Sequence, residues 1–349
     1  MYLKPVIFRA DAGNAIGVGH VMRALVLAEK IVNNGGRAVF VLNADAIGLI
    51  KGIQLDNYEI HTVISETGSK SDMETTVGIA QSIAAEWVIV DGYDFDSTYQ
   101  DMIRARGLKV LYIDDMGHLE RYPANIILNQ NMYANERMYP NRSGDTKLLL
   151  GSDYVLLRNE FEQYRNRFKN IPERAENVMI TFGGSDPTDA TLRVLKSLSE
   201  IREYEFVLKV VVGVENKKYK DIIALAMRMP VETEVIYNTS EMAKIMDWSD
   251  LAISSSGTTS WELAYMGVPS ILIAIAGNQI KIAEALDKKG ISIRLRETNE
   301  ESCHNLNVTF TRVLRLKHVR ATMSLNGRRV VDGFGADRVF GVLAENLIN

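Results

Sequence analysis

Along the chain, short runs of consecutive apolar residues alternate with longer stretches whose apolar positions recur every three or four residues. Val6–Phe8, Ala38–Leu42, Trp87–Val90 and Val110–Ile113 are runs of the first kind, and Val21–Val32 and Thr98–Arg106 are stretches of the second. Continuous β-branched runs predict strands covered on both faces, and amphipathic stretches between them predict crossover helices. Together they predict βαβ units around a parallel sheet. The pattern weakens after Gly151, where Leu157 to Pro172 is rich in Arg, Asn, Glu and Gln and reads as a helix and linker. A second series then begins. Its predicted strands are Val178–Thr181, Val207–Val212, Glu234–Tyr237, Leu251–Ile253 and Ser270–Ala274. Its predicted helices lie near Thr188–Leu198, Met242–Asp247, Thr259–Tyr265 and Ile280–Lys289. The expected architecture is α/β, with two Rossmann-like, doubly wound domains over 1–156 and 177–349. A linker over 157–176 joins them, and the final helix is free to return to the first domain.

In such sheets ligands bind beyond the carboxyl ends of the strands, and with two sheets an interdomain cleft is the expected site. The loops that follow strands therefore carry the candidate chemistry. The first strand runs into a loop containing Asp11, Gly17, Gly19 and His20, and a helix follows. The third glycine of a dinucleotide fingerprint would fall at Met22, so that motif is incomplete. What remains is an imidazole at a helix start, where the helix dipole disfavours a positive charge and the neutral ring can accept a proton. Gly183-Gly184-Ser185, after the Val178–Thr181 strand, reads either as a phosphate cradle or as a tight turn capping the next helix. Ser256-Gly257-Thr258-Thr259 breaks a buried strand just before another helix, a geometry suited to a diphosphate. Glu262, one turn further, can accept from ribose hydroxyls or close a capping box with Thr259. Asn278 and Gln279 again sit between a strand and a helix, as sugar or phosphate contacts or as a capped helix start. Asp91 and Tyr93 follow the Trp87–Val90 strand, and Asp91 is a candidate to touch His20. Asp114 and Asp115 read as strand-end caps or as acid/base groups.

Composition narrows these readings. The 349 residues are 46% hydrophobic and 24% charged, with net charge −4, as in a folded chain without the basic face that nucleic acid requires. One cysteine excludes an internal disulfide and a cysteine-rich zinc site, and the five histidines show no metal-ligand spacing. No apolar run is long enough to span a bilayer, and the N-terminus has no signal-peptide pattern, so a cytoplasmic protein without membrane anchor, metal or cofactor is expected.

The motifs also resemble a known family. Arg9-Ala10-Asp11, Ile16-Gly17-Val18-Gly19-His20, Arg23-Ala24-Leu25, Asp91-Gly92-Tyr93, Ile113-Asp114-Asp115 and Asn129-Gln130-Asn131 are similar to the first half of the PseG-like UDP-sugar hydrolases of pseudaminic-acid biosynthesis, grouped with the spore-coat polysaccharide protein SpsG. Gly151-x-x-Tyr154-x-x-Leu157-Arg158-x-x-Phe161, Phe182-Gly183-Gly184-Ser185-Asp186, Gly257-Thr258-Thr259-Ser260-Trp261-Glu262, Gly267-x-Pro269 and Asn278-Gln279 continue the likeness in the family's order. The chain departs from the pattern at Ser254-Ser255-Ser256 and at Gly92, and neither change removes a group the chemistry needs. The resemblance implies a MurG-like GT-B fold. It implies that the second domain holds UDP through its glycine loops and Glu262, and that His20 acts as catalytic base; among the residues themselves, Asp91 and Asp11 are the candidates to orient it.

The implied reaction is hydrolysis of UDP-2,4-diacetamido-2,4,6-trideoxy-β-L-altropyranose, a small UDP-amino-sugar, by inverting attack of water at the anomeric carbon. UDP is a good leaving group, so the site needs charge stabilisation rather than a general acid. Two other readings use the same scaffold. One is a GT-B glycosyltransferase or surface-polysaccharide enzyme acting on another UDP-sugar. The other is a non-catalytic nucleotide-sugar binding module.

Overall fold

A computed structural model describes residues 3–13, 18–49, 57–296 and 301–347. The chain separates into two compact units, residues 1–159 with 333–349, and residues 160–332.

In the first unit, β1 (Val6–Ala10), β2 (Ala38–Asn43), β3 (Glu59–Val63), β4 (Trp87–Asp91), β5 (Lys109–Ile113), β6 (Ile126–Asn129) and β7 (Lys147–Leu150) form one parallel sheet. Their spatial order is β3-β2-β1-β4-β5-β6-β7. The chain winds outward from β1 in one direction and from β4 in the other, which puts a topological switch point between these two strands. The helices α1 (Gly19–Asn33), α2 (Ala44–Leu49), α3 (Lys70–Ser82) and α4 (Ser97–Arg104) lie between strands in sequence. β1 is buried along its whole length, and its alternating side chains feed two cores. Val6, Phe8 and Ala10 face a core shared with α1, while Ile7 joins one with Val77 of α3 and Ile103 of α4. This two-residue alternation into apolar surroundings on both sides is why a central parallel strand reads as an unbroken apolar run. Ser69 and Asp96 start α3 and α4 by accepting the N–H groups of Asp72 and Tyr99.

The second unit repeats the scheme with β8 (Asn177–Thr181), β9 (Val207–Val212), β10 (Thr233–Tyr237), β11 (Leu251–Ser254), β12 (Ser270–Ile273) and β13 (Ser292–Leu295). All are parallel, in the order β10-β9-β8-β11-β12-β13. Its switch point lies between β8 and β11. The helices α5 (Ala190–Leu198), α6 (Tyr219–Ala226), α7 (Met242–Trp248), α8 (Thr258–Met266) and α9 (Gly277–Lys288) alternate with the strands, and α10 (Glu301–Arg315) and α11 (Lys317–Val330) follow. Gly267 ends α8 at φ +67°, the left-handed turn that glycine adopts without strain. A Cβ on Gly327 of α11 would lie 2.7 Å from the carbonyl oxygen of Ala264, so glycine is what lets α11 cross α8 closely.

The boundaries differ from the expected ones. Residues 160–176 do not form a separate linker. Phe161 and Tyr164 are buried in a short 3-10 segment (Asn159–Tyr164), and Glu160 accepts the N–H of Ala243 on α7. The second unit stops at Asp332, and the final helix takes the return to the first domain that was left open to it. The last helix, α12 (Gly335–Leu347), belongs to the first unit, where Val339 and Leu343 join the α1 core and Arg338 donates to the Asp153 carbonyl.

Candidate functional site

At the first switch point, the ends of β1, β4 and β5 bring charged groups together, with the Asn131 amide after β6 beside them. His20 lies in the first turn of α1 and is only 6% exposed. No side chain caps this helix start, and its first turn carries no acidic residue. The His20 ring meets the edge of Tyr93 at 4.7 Å between centroids. Its Nδ1 is buried without a hydrogen-bond partner, and the nearest carboxylate oxygen, Asp91 Oδ1, is 3.8 Å away, beyond bonding distance.

Asp91 is instead held by Arg23, three residues along α1. Arg23 Nε and Nη2 donate to the two Asp91 oxygens at 2.5 and 2.6 Å, and Nη1 donates to Asp115 Oδ1 at 2.8 Å. Burial opposes the Arg23 charge, but Asp115 and Asp91 outweigh it and hold the guanidinium firmly protonated. For Asp115, burial pushes the carboxyl up, yet Arg23, by charge and hydrogen bond, keeps it below the usual carboxylate range. His20 and the Asn131 amide, which donates at 3.2 Å, help. The Tyr133 hydroxyl donates to the Asp115 carbonyl at 2.8 Å. The Asp11 carboxyl is pushed up by burial against the pull of Arg9 and His20, and its Oδ1 accepts from the Ala12 N–H and from the Asn43 amide. The orienting bond to His20 expected from Asp91 or Asp11 is therefore absent from this arrangement. One carboxylate is engaged by an arginine and the other by its own loop and β2.

The paired aspartates after β5 divide their roles. Asp114 accepts the N–H groups of Met116 and Gly117 and the hydroxyl of Tyr139, so it is the strand-end cap. Burial raises its carboxyl. Asp115 faces Arg23 and belongs to the His20 cluster. Arg9 stands apart on β1, fully buried and paired through two hydrogen bonds with buried Asp72.

At the second switch point the groups are small and mostly uncharged. Gly183 has φ +82°, which permits the sharp turn out of β8. Asp186 caps α5, its two oxygens accepting from Ala190 and Thr191, so the acid of this loop is structural, while Gly184 and Ser185 lie partly exposed beside it. Gly213, after β9, presses against the same turn. A Cβ there would lie 2.3 Å from the Gly184 carbonyl oxygen. α8 starts with Gly257 as its N-cap and no side-chain capping bond. A capping box between Thr259 and Glu262 is thus ruled out, because Thr259 already lies inside the helix. Glu262 is 6% exposed within that helix. The Ser256 hydroxyl donates to the Gln279 carbonyl at 3.0 Å, and Gln279 Oε1 accepts from Ile275, which ties the α8 and α9 starts together. The N-cap of α9 is Ala276, not Asn278, and Asn278 is exposed. Gly17 lies outside the described residues.

Among the described residues no group of three or more His, Cys, Asp or Glu side chains is placed to hold a metal ion, and no helix is long and apolar enough to cross a membrane.

Comparison with known proteins fits both units. Residues 178–333 match the Glycosyltransferase family 28 C-terminal domain. The chain is 21% identical to the spore coat polysaccharide biosynthesis protein SpsG of Bacillus subtilis, over 96% of both chains. It is 24% identical to the UDP-2,4-diacetamido-2,4,6-trideoxy-beta-L-altropyranose hydrolase of Campylobacter jejuni, over 83% of this chain and 99% of that one. This chain has the GT-B fold and resembles these two proteins along most of its length. The crystal structure of Acinetobacter baumannii MurG superposes with TM-score 0.70 at 16% identity, over 98% of this chain and 99% of that one, which shows the shared fold. An uncharacterized protein of Methanocaldococcus jannaschii, MJ1062, is 27% identical over 75% of this chain, which spans about half (54%) of that longer relative.

Proposed function

We propose that the protein is a nucleotide-sugar enzyme that hydrolyses UDP-2,4-diacetamido-2,4,6-trideoxy-β-L-altropyranose to UDP and the free sugar. The observation that carries this reading is His20, a buried imidazole at an uncapped helix start with Nδ1 unpartnered, set among Asp11, Asp91, Asp115 and Tyr93. The hydrolase of Campylobacter jejuni supplies the substrate class. In this reading UDP lies on the second unit. The N–H groups at the start of α8 and the Gly183–Ser185 turn take the diphosphate charge, and Glu262 takes the ribose hydroxyls. Asn278 and Gln279 border the same site. Water attacks the anomeric carbon opposite the diphosphate, and His20 accepts its proton as the bond forms. Oxygen from water joins the sugar, the C–O bond to UDP breaks, and the anomeric centre inverts.

The match to a glycosyltransferase domain favours one rival, transfer of the sugar to an acceptor hydroxyl instead of water. Incubating the UDP-sugar in heavy-oxygen water, with and without candidate acceptors, separates the two. Label on the free sugar without acceptor supports hydrolysis. Label on UDP places attack at phosphorus and removes His20 from the mechanism. Release that depends on acceptor establishes the transferase.

A further inference from the structure

Arg23 has no role in the reaction as set out above, yet it ties together two of the carboxylates at the first switch point. It is 5% exposed in the second turn of α1, among Val21, Ala24, Leu25 and Val26, where an amphipathic helix normally buries only apolar side chains. It makes three hydrogen bonds to two carboxylates, and one of those carboxylates is the nearest to His20.

The charged and titratable groups around His20 come from four elements. Asp11 follows β1, Asp91 ends β4 with Tyr93 just beyond, Asp115 follows β5, and Arg23 lies on α1 itself. Three carboxylates thus surround one imidazole with one guanidinium among them. A carboxylate left unpaired 3.8 Å from an imidazole draws a proton onto the ring, and a protonated ring cannot accept one from water. A free Asp91 could also swing onto Nδ1 and fix the ring in one orientation.

We propose that Arg23 is a positioning residue of this site: by gripping both oxygens of Asp91 and one of Asp115, it fixes two carboxylates beside His20 and offsets part of their negative charge. The imidazole thereby stays available as a proton acceptor, and its buried Nδ1 stays open. This inference rests on the reading of His20 as the base. The fork shape of arginine is part of the device, because a lysine ammonium cannot hold both Asp91 oxygens and Asp115 in one plane.

The test compares Arg23→Met, Arg23→Lys and the double variant Arg23→Met/Asp91→Asn with the unaltered protein. Two readouts are taken: titration of the His20 ring by NMR without substrate, and the pH profile of UDP release. Arg23→Met should move the ring's titration midpoint up by about one pH unit or more, as expected for an imidazole gaining an unpaired carboxylate neighbour. The acid limb of kcat should follow, with KM little changed. The double variant should move the midpoint back towards its starting value, a rescue that a merely structural arginine would not show. If Arg23→Met does not fold, Arg23→Lys reads the same effect as a smaller upward movement. An unchanged midpoint in a folded Arg23 variant, or no return in the double variant, overturns the proposal. If the ring responds as expected and no variant or parent releases UDP, the positioning role stands and the hydrolase reading falls.

Discussion

At the β1/β4 switch point the fold gathers an imidazole, an arginine and three carboxylates, whereas at β8/β11 it offers glycines, serines, threonines and uncapped helix starts, with Asp186 tied up in capping α5 and Glu262 inside α8. Both places are fixed by the same rule of strand order, so topology sets where chemistry can occur in each unit. What differs is how the loops present polarity. The first site sets one guanidinium among three carboxylates around a single imidazole, an arrangement suited to moving a proton at one atom. The second presents backbone N–H groups and hydroxyls, which suit a spread-out anion.

The sharpest way to break this contrast is His20→Asn. It should cut UDP release at least about 100-fold, the usual scale for a lost general base, while calorimetry finds UDP affinity nearly intact. Near-normal turnover would remove the proton-moving role from the first site. Next in size is Asp72→Asn, which leaves Arg9 buried and charged. Unpairing a buried ion pair costs about 3–5 kcal/mol, so urea unfolding of the first unit should shift markedly, and no change would show that Arg9 finds other partners.

At the second site, Gly213→Ala drives a Cβ into the Gly184 backbone. UDP affinity should fall roughly tenfold, about 1.4 kcal/mol, with His20 chemistry in saturating substrate largely preserved. Unaltered affinity would mean that the Gly183–Ser185 turn does not hold the diphosphate.

The smallest effect concerns the adjacent aspartates. Asp115, held below the usual range, adds stability above about pH 4 that is lost as pH falls through its lowered value. Asp114, raised by burial, acts with opposite sign: its contribution is present below about pH 4 and is lost as pH rises through its raised value. Unfolding of Asp114→Asn and Asp115→Asn against the parent across the acid range should show these opposite slopes, and equal slopes would contradict the division of roles.

The central strands were legible because they are covered on both faces and their apolar runs are unbroken. Of the strands outside the hydrophobic pattern, β3, β7 and β13 lie at sheet edges, where runs shorten or mix with His, Thr, Lys and Arg, while β6 is buried inside its sheet and only four residues long. Loop positions such as Gly183, Gly257 and His20 were legible for a related reason, since glycine and helix-start signals are local. Arg23 was visible only as part of a motif. Its spacing from His20, three residues along a helix, puts both on one face, but its partners Asp91 and Asp115 come from 68 and 92 residues away, and no local pattern joins them. Gly213 was missed for the same reason, because its close approach to Gly184 depends on how two loops meet.

The placement of α12 has a consequence for how the protein is made. The second unit is one continuous stretch, 160–332, inserted into a first unit whose core takes Val339 and Leu343 from the far end of the chain. On a ribosome the usual order, N-terminal domain first, is therefore reversed in its final step. The inserted unit can finish folding while the unit begun before it still waits for its last helix, and the His20 helix, which packs against that helix, is among the last parts to gain its full support.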